Sequence, residues 1–156
     1  MRHSVKSIVV EYVGFMRMMQ LWFHGAHHLS RGTGFAGDHV NLYGKIYQGI
    51  EDQIDGAIEK AIGLFGEECG CPLAITETAL EIMSKYPSPY DLNPPSVAAV
   101  GLKIEKDWLA FSQKFYDILK SSGTMTLGLD DFIMANANSH ETNVYLLQQR
   151  IRQAIG

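Results

Sequence analysis

Apolar residues recur along this chain at alternating steps of three and four, in four long runs. In the first, Ile8, Tyr12, Phe15, Met19, Trp22 and Ala26 fall on one face of an α-helix, and Val9, Val13 and Met16 widen the stripe. The second passes through Tyr43, Ile46, Ile50, Ile54, Ala57, Ala61 and Leu64. The third takes Val97, Val100, Ile104, Trp108, Phe111, Phe115 and Ile118, and the fourth Leu129, Ile133, Ala137, Val144, Leu147 and Ile151. There is no strand-like alternation of any length.

Turn residues punctuate these runs. Ser30 to Gly34 ends the first, with glycine available for a left-handed cap. Asp38 is placed to cap the second, and Gly63 and Gly66 close it. Glu67 to Pro72 is a turn-rich connection. Thr76 to Tyr86 predicts a short helix with Ala79, Leu80 and Met83 on one face. Pro87, Pro89, Pro94 and Pro95 then break the chain before a third long helix that starts at about Ser96 and stops at Ser122-Gly123. Asp130 and Asp131 lie near the positive end of the fourth. The expected fold class is all-α. A four-helix bundle forms one domain over residues 1–156, with a short extra helix in a long central crossover.

The 156 residues suffice for one good core, and the composition, 46% hydrophobic and 19% charged, is that of a globular protein. A net charge of -4 removes the general electrostatic case for nucleic acid and suits a protein that attracts cations. The first residues, Met1 to Ser7, are too short and polar for a secretory signal, and no apolar run approaches the ~20 residues that span a bilayer. Cys69 and Cys71 flank Gly70, too close for an ordinary disulfide framework. As a soft-metal site that pair lacks the four ligands of structural zinc. The expected compartment is the cytoplasm, with reduced thiols.

Chemistry concentrates between residues 24 and 59. His24, His27 and His28 share a face in the last turns of the first helix, and His39 follows a glycine-rich break. Asp55 and Glu59, four apart, share a face of the second helix. Imidazole with carboxylate suits iron, zinc or manganese. The carboxylates alone equally suit a solvated acidic face, and His140, Trp108 and the methionines Met16, Met18 and Met19 read as core. At the helical rise His39 and Asp55 lie about 24 Å apart on a straight helix. They therefore share an ion only if helices cross within the chain or a second chain supplies half the site. A two-fold interface would do this, each chain giving histidines to one site and carboxylates to the other.

From His27 the run is H-x-x-x-x-G-x-x-F-x-x-x-H, through Gly32 and Phe35 to His39, followed by Asp55-x-x-x-Glu59-Lys60. Toward the C-terminus come Gly123-Thr124, Asp131, His140-Glu141 and Tyr145-Leu146-Leu147. This pattern resembles the Dps proteins, the miniferritins of the ferritin-like superfamily, over nearly the whole chain. The resemblance implies a ferritin-like four-helix bundle assembled as a hollow dodecamer. It implies a ferroxidase site between two subunits, with His27 and His39 from one and Asp55 and Glu59 from the other. It implies oxidation of Fe(II), preferably by hydrogen peroxide, with oxygen as the other oxidant, and storage of ferric mineral in the cavity.

The sequence departs from that pattern at several points. The family's tryptophan after the first histidine is His28, which adds an imidazole to the candidate ligands and brings zinc into consideration at the same site. An aspartate common four residues after the second histidine is Tyr43, and Ala-Glu-Arg has become Ile58-Glu59-Lys60. The interval from His39 to Asp55 is about one residue longer than usual. One residue turns a helix by roughly 100°, so a bulge near Gly44 or Gly49 is needed to restore the face. Without it, His24, His28, Asp38, Glu51 or Asp52 would take the place of His39. No lysine-rich N-terminal arm of the kind that binds DNA in some family members is present, so DNA binding is not expected. The rival readings are a DNA-condensing protein with little iron chemistry and a helical assembly that holds structural zinc.

Overall fold

The computed structural model describes residues 4–152. The two ends of the expected domain, 1–3 and 153–156, lie outside the described residues, and with them the start of the segment read as lacking a secretory signal. The described chain is all-helical and contains no strand. Its long helices are α1 (Val5–Leu29), α2 (Lys45–Phe65), α4 (Pro94–Ser121) and α5 (Leu127–Arg152), and a short α3 (Pro72–Met83) lies in the central connection. A π-helical segment, Gly37–Gly44, runs directly into α2. Among the described residues no helix is long and apolar enough to cross a membrane.

Each boundary has a local cause. Ser4 caps α1 by accepting from the Ser7 amide at 3.2 Å. The chain leaves α1 through Gly32, whose φ of +79° is open to glycine at little cost. Pro72 sits at the first position of α3, where its missing N–H costs nothing, so α3 begins four residues before Thr76. Asn93 caps α4 by accepting from the Ser96 amide at 2.9 Å, and Pro94 and Pro95 fill the first turn as the third helix's start.

α1 is the central element, with α2, α3 and α4 packed on it, while α5 lies on α4 and touches α2. Ile8, Tyr12, Met19, Trp22 and Ala26 are buried with Ile50, Ile54, Ile104, Trp108, Phe115 and Leu147. Met16, Met18 and Met19 are core, as expected. Two stripe positions differ. Leu64 stays 45% exposed because Phe65, four residues on from Ala61, takes the inward place. On α3 the inward positions are Ile75, Ala79 and Ile82, and Leu80 faces out.

The core holds a polar cluster around His140. His140 and Glu105 are both fully buried, and His140 Nδ1 donates to Glu105 Oε2 at 2.5 Å. Gln53 Oε1 faces His140 Nε2 at 2.8 Å, and Asn143 donates to the other Glu105 oxygen at 3.0 Å. Trp108 lies over the imidazole, ring centroids 4.1 Å apart. The cluster ties α2, α4 and α5 together and satisfies the carboxylate on both oxygens, which makes a buried charge tolerable. Glu105→Leu leaves the buried His140 donor and the half-buried Asn143 amide without an acceptor. It should cost about 3 kcal/mol in urea unfolding, and a loss well below that would show the cluster to be incidental.

Candidate metal centre

The imidazoles expected to carry the chemistry meet where α1 ends and the π-helical segment begins. His27 Nδ1 donates to the backbone carbonyl of His39, and His39 Nδ1 donates to the carbonyl of His27 at 2.7 Å. The rings stack, 3.8 Å between centroids with planes 11° apart. A carbonyl can only accept, so each neutral ring carries its proton on Nδ1 and its lone pair on Nε2. That is the tautomer a metal-ligating histidine needs when its other nitrogen is anchored to the backbone. Phe35 stacks on the outer side of His39 at 4.9 Å, and Tyr47 packs against His27 at 5.1 Å.

Backbone geometry permits the clasp. A Cβ on Gly44 would stand 2.6 Å from the His39 carbonyl oxygen and 3.2 Å from His27 Nδ1. Only glycine lets the wide π turn close while α1 lies this near. The π-helical segment carries His39 and ends on Gly44, one of the two glycines near which the resemblance asks for a bulge. Asp38 is not a cap. It is buried, and Arg150 near the end of α5 grips it through Nε at 2.7 Å and Nη2 at 3.1 Å. That two-point bond holds the Arg150 guanidinium above its ordinary pKa. Asp38 is thereby committed to fixing the segment and is not free to replace His39.

Asp55 and Glu59 lie exposed on α2, on the side away from Ile50, Ile54, Ala57 and Ala61. Glu51 and Asp52 are also exposed, and Glu51 accepts from Gln20 on α1 at 3.5 Å. His28 sits with His24 rather than with His39, their Nε2 atoms 3.1 Å apart. The structure thus joins His27 to His39 and His24 to His28. Among the described residues no three His, Cys, Asp or Glu side chains form a group that could hold a metal ion. Cys69 is buried and Cys71 exposed, both free, and burial pushes the Cys69 thiol up. They present no joint site.

Parallel stacking limits what the two rings can do. A metal binds an imidazole lone pair in the ring plane, and two planes 11° apart do not meet near both nitrogens. As they stand, one ion takes one of the two rings. No family model matches the chain, and no curated protein sequence matches it.

Sequence reasoning missed Tyr47 and Arg150. Tyr47 packs on both His24 and His27, at 4.5 and 5.1 Å, and lies eight residues beyond His39, so helical spacing was a usable signal once the bulge was placed. Gly44→Ala should break the clasp. We expect ¹⁵N NMR of the imidazoles to lose the shared Nδ1-protonated pattern of His27 and His39, with about 1–3 kcal/mol of stability lost to overpacking. Retention of both pattern and stability would contradict the role given to Gly44.

Proposed function

We propose that this chain is the subunit of a Dps-like ferroxidase and iron store, a ferritin-like four-helix protein that assembles into a closed homo-oligomer of twelve chains in the cytoplasm. The observation that carries the reading is the His27–His39 clasp, which leaves two Nε2 lone pairs prepared for metal at the family-like motif. The exposed Asp55 and Glu59 support it, since a site shared across a two-fold axis presents half its ligands on each of two surfaces. The π-helical segment supports it as well, because it supplies the bulge that the longer His39–Asp55 interval demands.

Iron is substrate and cargo. Imidazole from one chain and carboxylate from its partner bind Fe(II) in an open coordination sphere. Hydrogen peroxide takes one electron from each of two Fe(II) ions and, with two protons, leaves as two waters. The carboxylates favour the Fe(III) product because their charge offsets its own. With a net charge of -4, few phosphates could be neutralised, which disfavours the DNA-condensing alternative. Duplex DNA should migrate unretarded with the protein at physiological salt, and tight salt-sensitive binding would reverse that judgement.

The shared site has a sharper test. His27→Ala and Asp55→Ala should each abolish fast Fe(II) oxidation, followed at the ferric absorbance after peroxide is added to anaerobic Fe(II) protein. Unfolded and co-assembled, the two inactive variants should regain part of the activity. In a hybrid dimer one site loses both residues while the other keeps an intact set. Hybrid shells that form but stay inactive would reject the intersubunit assignment, as would a stable monomer in light scattering.

A further inference from the structure

We propose that His24 and His28 form a second cation site, a two-imidazole chelate for a zinc-class divalent ion, separate from the His27–His39 pair and beyond the ferroxidase reading. The residues lie four apart on α1, so their side chains leave the helix on one face. His28 is exposed and His24 partly so, which gives an ion access from solvent. Their Nε2 atoms stand 3.1 Å apart. At ordinary Zn–N bond lengths that separation corresponds to an N–Zn–N angle of about 100°, between octahedral and tetrahedral values. The ring planes are inclined at 54° and so intersect, unlike the near-parallel planes of His27 and His39, and an ion between the two Nε2 atoms would replace the hydrogen bond they share.

The donor set decides the class of ion. Two imidazoles with water completing the shell suit Zn(II), Ni(II) or Co(II) better than Fe(II), whose preference here is served by the carboxylates. The site lies beside the proposed iron site without sharing its ligands. The His27 ring centroid is 4.9 Å from that of His28 and 6.4 Å from that of His24. Tyr47 packs on His24 at 4.5 Å and steadies that ring from α2.

Zinc chloride titrated calorimetrically into the iron-free assembled protein tests this in a His27→Gln/His39→Gln/Asp55→Ala/Glu59→Ala background, which lacks the ferroxidase ligands. One Zn(II) per chain should still bind. Adding His28→Gln should abolish that equivalent, and adding His24→Gln to the same background should do so independently, with helicity unchanged by circular dichroism. A folded background protein that binds no zinc overturns the proposal, as does an equivalent that survives both further substitutions. Should the background fail to fold, the test runs on the wild-type chain, where His28→Gln must remove one equivalent of zinc and an unchanged stoichiometry overturns the site. Zinc bound and lost in this pattern supports it even if the wild-type protein shows no iron oxidation.

Discussion

The closeness of α1 to the π-helical segment Gly37–Gly44 is the constraint on which the candidate site depends. The segment carries His39 and brings it against His27 at the end of α1. π turns are rare and occur mostly as short bulges within α-helices. Here support comes from three directions. Arg150 grips Asp38 from α5, the His27 ring donates to the His39 carbonyl from α1, and Gly44 removes the Cβ that would collide with both. The same contacts that hold the π-helical segment set the histidine tautomers, so backbone irregularity and the state of the two imidazoles are one feature.

Much of this was legible. Apolar periodicity placed all four long helices because each buries a broad face against α1 or against the partner it packs on. His140 was readable as core from its place on the stripe, and an irregularity near Gly44 or Gly49 was expected only from the spacing of the family that the motif resembles. The parts that were not legible are non-local. Asp38 has the sequence of a cap, and only its partner 112 residues away makes it a buried anchor instead. The inward turn of Phe65 in place of Leu64 is likewise decided by where neighbouring helices lie. The sorting of four imidazoles into two pairs depends on ring angles that spacing does not encode.

Support and chemistry are divided between the two ends of the fold's polar groups. Glu105, His140, Gln53 and Asn143 contact one another in and beside the core, and that linkage of three helices suits a structural role. At the π-helical segment saturation stops halfway. Each of His27 and His39 spends Nδ1 on backbone and leaves Nε2 uncommitted, while Asp55 and Glu59 remain in solvent. Imidazoles anchored in advance would lose little freedom on binding metal, whereas the exposed carboxylates would lose more, so in the proposed site the histidine half would set the geometry and the carboxylate half would adapt to it.

The stacked rings impose a last condition on any iron chemistry. Two lone pairs lying in nearly parallel planes cannot meet at one ion, so a first Fe(II) engages a single imidazole unless the stack opens. Opening it means giving up one Nδ1–carbonyl bond and some of the contact with Phe35 or Tyr47. Keeping it leaves the second imidazole for a second ion. The second course keeps both backbone anchors, and it matches the electron count of peroxide, which needs two Fe(II) ions for each molecule reduced. Ring stacking held by reciprocal backbone bonds therefore favours loading in pairs over the sharing of one ion, and it makes the clasp, rather than the number of histidines, the feature that would set the stoichiometry of the site.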